Sequence, residues 1–312
     1  MEYLITSFLV VFPIFLKLLL GYGIRHMNIM SDMAFKQMNN VTFRVFLPLL
    51  LFMNIYTADL ESSISLRLIG FAITALLVLF ALAMLIVPRF EPTNRKRGVI
   101  IQAICRSNFI IFGLPVATTL YGTESAGTAS VLVGVIVPFI NTLAVITLEY
   151  FRGSKPSPWK IFKGVVANPI IIGAAAALVM VLANFTLPAI IDAFFREMAV
   201  IATPLALIIL GGSVTFTTVK ENRKQLIGGI ITRLVLVPLV GLTAAVLLGF
   251  RNAELVILMA MFSSPAAVSS YTMALQMEGD GDLAGQLVVF TTVFSIVTIF
   301  FWVYMLMFLN FI

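Results

Sequence analysis

The chain has 312 residues, of which 61% are hydrophobic and only 11% charged, and its net charge is +6. A soluble domain carries about 25% charged residues, because its surface must be hydrated. The composition therefore excludes a water-soluble globular protein and predicts a chain whose outer surface lies in a lipid bilayer.

Ten apolar stretches are long enough to cross a membrane, since a transmembrane helix needs roughly 20 mostly apolar residues. In chain order these predicted spans are residues 4–24, 34–57, 66–88, 95–121, 125–150, 161–183, 190–213, 225–249, 252–276 and 283–310. Each is apolar on consecutive residues without two-residue alternation, which is typical of helices rather than barrel strands. The sequence predicts an all-α membrane protein of ten transmembrane helices.

Basic residues concentrate in the loops that join spans 1–2, 3–4, 5–6 and 7–8. Loops rich in lysine and arginine lie on the cytoplasmic side, so we expect a multi-pass protein of the cell (plasma) membrane with both termini outside. The positive net charge is explained by these loops, and no nucleic-acid partner is expected.

Proline landmarks indicate an internal duplication. Pro13 and Pro48 are 35 residues apart, and so are Pro169 and Pro204. A chance coincidence of prolines is the alternative explanation.

The duplication predicts a first repeat of five spans at residues 1–150, a cytoplasmic linker at 151–160 and a second repeat at 161–312. Because five is odd, the repeats insert in opposite orientations, as in many secondary transporters.

Spans 4 and 9 carry polar residues, glycine and proline at mid-depth, around Gly113 and Pro115 in span 4 and around Ser264 and Pro265 in span 9. Proline has no N–H for the helix ladder. A freed backbone group must then be buried in protein or face a wet cavity. If both breaks meet, the two half-helix N-termini form an anion pocket. The alternative is that these prolines only kink packed helices.

Motifs in spans 4, 9 and 10 match the pattern of a known family. Span 4 has Asn108-x4-Gly113-x-Pro115 followed by Leu-Tyr-Gly, span 9 has Ser-Pro-Ala-Ala from Ser264, and span 10 has Thr-Thr-Val-Phe-Ser from Thr291. The chain resembles the auxin efflux carrier family in its bacterial, malate/malonate permease-like branch. Span 9 departs from the plant pattern, which favours a small dicarboxylate over auxin.

The resemblance implies a ten-helix fold similar to bile acid:sodium symporters, with broken crossing helices 4 and 9. Spans 1, 2, 6 and 7 would form a scaffold, through which a homodimer is expected. Spans 3–5 and 8–10 would form a mobile transport domain with an elevator-type motion. The resemblance also implies that Asn108 contacts the substrate carboxylate and that Pro115 and Pro265 are the crossover prolines.

Ten residues are predicted to bind the substrate. They are Arg106, Ser107, Asn108, Gly113, Pro115, Asn141, Ser263, Ser264, Pro265 and Thr291. Arg106 could contact an anion or extend to the cytoplasmic interface. For Arg233, packing or such an extension is expected, and Asn141 and Thr291 could instead be interhelical hydrogen-bond partners.

All fourteen acidic residues fall in loops or near the ends of spans. A cation-coupled carrier usually keeps a carboxylate at membrane depth. We therefore predict a uniporter or exchanger of small carboxylate anions, with a sodium- or proton-coupled anion symporter as the alternative and a non-transporting membrane ligand sensor as a second one. The single residues Cys105 and His26 exclude a Cys/His metal cluster, and we expect neither a cofactor nor enzymatic activity.

Overall fold

The computed structural model describes residues 2–57, 65–109, 124–152, 158–213 and 218–312. Within these ranges the chain is helical, and its only β-pairing is an isolated antiparallel bridge between Ser107 and Ala266. The helices are α1 Glu2–His26, α2 Asp32–Val41, α3 Leu47–Tyr56, α4 Leu66–Phe90, α5 Asn94–Cys105, α6 Glu124–Phe151, α7 Pro158–Val166, α8 Pro169–Leu182, α9 Ala189–Ser213, α10 Arg223–Ile231, α11 Val237–Leu247, α12 Asn252–Ser263, α13 Ser269–Gln276 and α14 Gly281–Phe308.

Six helical segments of the described chain are long and apolar enough to cross a membrane. They are Asp32–Tyr56, Leu66–Phe90, Leu132–Phe151, Ala189–Ser213, Arg223–Leu247 and Gly281–Phe308. Two shorter apolar helices, Pro169–Leu182 and Asn252–Ser263, accompany them. The predicted multi-span helical membrane protein is confirmed, whereas the count of ten spans and the inverted repeat stay predictions.

Two of the long segments contain a turn of π-helix in front of a proline. Thr42–Phe46 joins α2 to α3, and Thr232–Leu236 joins α10 to α11. Pro48 and Pro238 cannot donate to the carbonyl one turn earlier, and their rings crowd it. The helix accommodates the proline by including one extra residue in this turn. The Leu47 N–H therefore donates to the Thr42 carbonyl, five residues before it.

The predicted span 161–183 is not one continuous helix. Helix α7 ends at Val166 and α8 begins at Pro169. The Asn168 side chain accepts a hydrogen bond from the Ile170 N–H at 3.0 Å and so caps α8. Proline is well placed in a first helical turn because its missing N–H has no partner there. Pro169 therefore starts a helix instead of kinking one.

Small residues let two pairs of helices approach closely. In α1 and α9, a Cβ atom on Gly21 or Gly211 would collide with the backbone carbonyl of Ile208 or Leu18. In α8, a Cβ on Gly173 would lie 2.6 Å from the Pro48 carbonyl oxygen. Backbone-to-backbone packing at small residues is the usual way for membrane helices to associate. Spans 1 and 7 thus form one pair, and spans 2 and 6 form the other.

The chain leaves the helical conformation at the predicted break of span 9 and, in span 4, directly after Cys105; Gly113 and Pro115, where the span 4 break was predicted, lie outside the described residues. Helix α5 ends at Cys105 and α12 ends at Ser263. The segments that follow, 106–108 and 264–268, lie side by side and are called the junction below. The Asn108 N–H donates to the Pro265 carbonyl at 2.8 Å, and the Ala267 N–H donates to the Arg106 carbonyl at 3.2 Å. Each segment therefore satisfies backbone groups that the broken helix of the other leaves free.

Candidate functional site

A cavity of about 100 Å³ lies beside the junction. Apolar side chains of α3, α6, α8 and α9 form much of its wall, among them Leu50, Ile140, Ile170 and Ala206. The polar residues in the wall are Asn54, Arg106, Ser107, Asn108, Asn141, Thr203 and Ser269. Four of these belong to the predicted substrate site, namely Arg106, Ser107, Asn108 and Asn141. A mostly apolar pocket with a few convergent polar groups is the usual form of a small-molecule site.

Arg106 is the charged residue of this wall, and only 5% of it is exposed. Its Nη2 donates to the Ser269 hydroxyl at 2.7 Å and to the Asn141 Oδ1. Its Nη1 donates to the Ser270 hydroxyl at 3.4 Å and to the Met273 Sδ at 3.0 Å. The guanidinium therefore points at α6 and α13 and does not extend to the end of its span.

All of these Arg106 partners are neutral. Among the residues that the structure describes, no carboxylate lies within ion-pair distance of the guanidinium. An isolated charge buried away from water is costly unless another charge compensates it. The wall therefore presents an uncompensated positive charge to a cavity, which is the electrostatic condition for binding an anion.

Two further donors lie beside Arg106. The Asn108 Nδ2 and the Ser107 hydroxyl are buried and have no hydrogen-bond partner within the described part of the chain. Both residues line the cavity. A buried polar atom without a partner is unusual in a folded protein and calls for an explanation. A bound oxyanion would accept from both groups.

Helix α13 begins at the same wall, with Val268 and Ser269 lining the cavity. The start of a helix carries about half a positive charge and free N–H groups. Its field adds to that of Arg106. The matching half-helix of span 4 would contain Gly113 and Pro115, which lie outside the described residues.

Four further predicted site residues are not part of the described cavity wall, namely Ser263, Ser264, Pro265 and Thr291. The Thr291 hydroxyl accepts from the Ala266 N–H at 3.2 Å and donates to the Leu287 carbonyl at 2.7 Å, which attaches α14 to the junction. The Ser264 hydroxyl donates to the Ala260 carbonyl. Ser263 is buried, and Pro265 contributes its carbonyl to the Asn108 N–H.

Three polar wall residues were missed in the sequence. Asn54 lies in α3, Thr203 in α9, and Ser269 starts α13. Asn54 is preceded by seven apolar residues from Leu47 to Met53, so a polar side chain at depth was the available signal. The first two residues lie in spans predicted as scaffold, away from the predicted broken helices that carried the site prediction.

Arg233 is buried more completely than Arg106, with 1% exposed. Its guanidinium donates to three backbone carbonyls: Ser264 through Nε at 2.8 Å, Ile104 through Nη1 at 2.9 Å and Met261 through Nη2 at 3.0 Å. The expectation of a packed Arg233 agrees with this geometry, and the residue holds the ends of α5 and α12 together.

Acidic residues are rare in the interior. Glu91, at the end of α4, is the one buried carboxylate of the described chain, with 4% exposed. The described residues also contain no group of three or more metal-ligating side chains. Among the described residues the cavity wall thus has donors and a positive charge but no carboxylate.

A multi-span helical bundle with a cavity at a break in its helices, and a few convergent polar groups in the cavity wall, is the architecture expected of a membrane transport protein. The family model described as membrane transport protein matches residues 6–157 and 153–303. The chain belongs to this family, the auxin efflux carrier family that its motifs resemble.

Similar proteins agree with this assignment. An uncharacterized transporter of Methanocaldococcus jannaschii is 24% identical over 96% of this chain and 98% of its own length. Another uncharacterized transporter, from Methanothermobacter thermautotrophicus, is 24% identical over 94% of this chain and 96% of its own. The structure of a sodium proton antiporter from Methanocaldococcus jannaschii at pH 8 superposes with a TM-score of 0.62 at 12% identity, covering 96% of both chains. This last likeness is one of fold.

Proposed function

We propose that this protein is a secondary transporter of small organic carboxylate anions that works as a uniporter or an exchanger. The observation that carries the proposal is Arg106, a buried guanidinium at a cavity whose partners among the described residues are all neutral. A carboxylate in the cavity would supply the missing negative charge and accept from the unpartnered Asn108 amide. Charge-assisted hydrogen bonds of this kind are about twice as strong as neutral ones.

The size of the cavity favours a substrate of a few carbon atoms. A volume of about 100 Å³ has room for several water molecules or one small organic anion. The donors of the junction lie in one part of the wall, and Asn54 and Thr203 come from α3 and α9. A dicarboxylate would place one carboxylate at Arg106 and the other near these two side chains.

The identity of the helices that meet at the cavity supports an elevator-type motion. Helices α3, α8 and α9 belong to the predicted scaffold, whereas the junction, α6 and α13 belong to the predicted transport domain. A substrate held mainly by Arg106 and Asn108 would move with the transport domain. The close pairs of spans 1 with 7 and 2 with 6 are equivalent under the proposed inverted duplication, which supports two mirror-related end states.

Cation coupling is the competing function. The fold neighbour is a sodium proton antiporter, which makes coupling worth testing directly. The described interior has no carboxylate at the cavity to bind Na⁺ or carry a proton, and this favours uncoupled transport. A non-transporting sensor is the second alternative, which binding without flux would support.

The test is uptake into liposomes that contain the purified protein, with imposed gradients of Na⁺ or pH. A thermal-shift screen of mono- and dicarboxylates first identifies the substrate to be used. We expect uptake that responds to membrane potential and to trans carboxylate but to neither cation gradient. Uptake that follows the Na⁺ or the pH gradient would replace uniport or exchange by symport.

The substitution Asn108→Ala tests the site. We expect a loss of uptake of about tenfold to a hundredfold, because the donor is aimed at the bound anion. Insertion and thermal stability should not change, since the Asn108 side-chain donor has no partner to lose. The matched control is Asn40→Ala in α2, away from the cavity wall, which should transport normally. Full activity of Asn108→Ala would remove this residue from the binding role.

A further inference from the structure

The three carbonyls that bind Arg233 belong to the ends of two broken helices. Ile104 lies in the last turn of α5, Met261 lies in the last turn of α12, and Ser264 follows that helix directly. The last carbonyls of a helix have no intrahelical donor and carry about half a negative charge. Two such ends pointing at one place repel each other unless a cation lies between them.

The π turn of Thr232–Leu236 holds Arg233 at this place. Arg233 is its second residue, and the turn widens the helix in front of Pro238, where the Val237 N–H donates to the Thr232 carbonyl. The three nitrogens of the planar Arg233 guanidinium each donate to one carbonyl, those of Ser264, Ile104 and Met261. Within the described chain no carboxylate takes part in this cluster.

We infer that Arg233 is a positioning residue whose guanidinium is a built-in cation, filling a carbonyl-lined site that would otherwise need a dissolved monovalent cation. In transporters with broken helices, unwound carbonyls and half-helix C-termini are the groups that coordinate coupling cations. Here such carbonyls are already occupied by a side chain. The junction therefore keeps its shape without a bound ion. This inference rests on the proposed uncoupled transport and gives the physical reason why such a flux would not require Na⁺.

Arg233 does not line the substrate cavity, but it contacts the junction segment that does. It donates to the Ser264 carbonyl, and the same segment pairs with residues 106–108 through the Pro265 carbonyl and the Ala267 N–H. Arg233 thus acts on the anion through the backbone of the junction and does not touch it. Its loss should disturb the placement of Asn108 and of the start of α13.

The experiment removes the side-chain cation and offers a soluble one. The variant Arg233→Met keeps most of the side-chain volume and leaves three carbonyls without a donor. Its thermal unfolding and its carboxylate uptake are measured in choline medium, and again with millimolar methylguanidinium, guanidinium, Na⁺ or K⁺. Arg251→Met is the matched control, since Arg251 also donates to backbone carbonyls, those of Val246 and Phe250, but at the exposed surface.

We expect Arg233→Met to lose about tenfold or more of its uptake, since charge-assisted hydrogen bonds are lost. Its unfolding temperature should be lower than that of the wild type, and methylguanidinium should restore at least part of both properties. Na⁺ should stimulate this variant while leaving the wild type and Arg251→Met unchanged. Arg233→Lys should fall between the two, because it keeps the charge but not the planar fork.

An Arg233→Met protein that is folded but gains neither stability nor uptake from any of the four cations would overturn the inference. If folded Arg233→Met is recovered from membranes only when methylguanidinium is present, the inference is supported. If neither Arg233→Met nor Arg233→Gln is recovered as folded protein with any of the cations, the inference is overturned. The stability measurement uses no substrate. Rescue of stability without carboxylate flux in the wild type would therefore reject the proposed function alone, and wild-type flux without rescue would reject this inference alone.

Discussion

Two buried arginines, Arg106 within the junction and Arg233 against it, differ in what surrounds them. Arg233 is held by three backbone carbonyls of two helix ends. Arg106 is held by side chains of Asn141, Ser269, Ser270 and Met273, and it borders a cavity. The negative ends of two helix dipoles compensate the charge of Arg233. Among the described residues, no group of opposite charge compensates that of Arg106.

The difference shows that burial alone does not identify a functional charge. Both side chains are at least nine-tenths buried, with 5% of Arg106 and 1% of Arg233 exposed. What separates them is the partner: helix C-termini compensate a cation, whereas neutral hydroxyl and amide groups only solvate it. A compensated cation stabilises a fold, and a cation that is solvated but not compensated attracts an anion.

Removing the Arg106 charge is expected to have the largest effect and tests the difference between the two arginines most directly. Arg106→Met should lower carboxylate uptake by about a hundredfold or more, because the partner of a buried charge pair is lost. Its unfolding free energy should stay the same or rise by about 1–4 kcal/mol, since replacing an uncompensated buried charge by an apolar side chain removes its desolvation cost. Uptake into liposomes and thermal unfolding measure the two effects.

The comparison with Arg233 provides the control for that result. Arg233→Met should lose both stability and uptake, so the two methionine variants should separate in stability although they share a transport defect. Arg106→Lys keeps a charge but not the fork and should retain part of the activity. Normal uptake by Arg106→Met, or a stability loss equal to that of Arg233→Met, would contradict the distinction.

The second prediction concerns a variant that places a carboxylate beside Arg106. In Asn141→Asp the new carboxylate takes the place of the Oδ1 atom that already accepts from Arg106 Nη2. We expect the apparent affinity for the substrate to fall at least about tenfold, since the site then carries its own anion. The unfolding temperature should rise. Asn141→Ser, which stays neutral, should show neither effect to the same degree, and equal KM values for the two variants would contradict the prediction.

The third prediction concerns binding without flux. A carboxylate at about 100 times its Kd should stabilise the wild type by about 2.7 kcal/mol. For a chain of 312 residues the shift in Tm should be about 4 °C. Arg106→Met should show no shift, and Arg233→Met in methylguanidinium should show one. Malonamide, the uncharged analogue of malonate, is the ligand control; a shift with malonamide equal to that with malonate would mean that charge does not decide binding.

The multi-span helical fold could be predicted from the sequence because apolar length is a strong signal. The break at residues 264–268 was also predictable, since serine and proline coincide there, whereas helix α5 ends several residues before the Gly113 and Pro115 on which the span 4 prediction rested. The two π turns and the interruption at Asn168 were not, because a proline in an apolar stretch is compatible with a kink, a π turn or a new helix start. Which of these forms depends on neighbouring helices.

The site was predictable in part. Arg106 and Asn108 stand at a recognisable break, and Asn141 follows from its polar character within an apolar span. The roles of Arg106 and Arg233 could not be separated, because a sequence gives the depth of an arginine but not whether it meets carbonyls or hydroxyls. Asn54 and Thr203 were missed since each is a single polar residue in an unbroken stretch, and only tertiary packing brings them to the cavity.

The smallest expected effect is on selectivity, through Asn54. This residue lines the cavity from α3 and is half-buried, so its amide would give one neutral hydrogen bond to the distal end of the substrate. Asn54→Ala should weaken competition by a dicarboxylate about two- to tenfold, the size of one net hydrogen bond. Competition by a monocarboxylate of equal chain length should not change, because its single charge stays at Arg106. An equal loss for both competitors would place Asn54 at the Arg106 end, and the proposed orientation of the substrate would then be wrong.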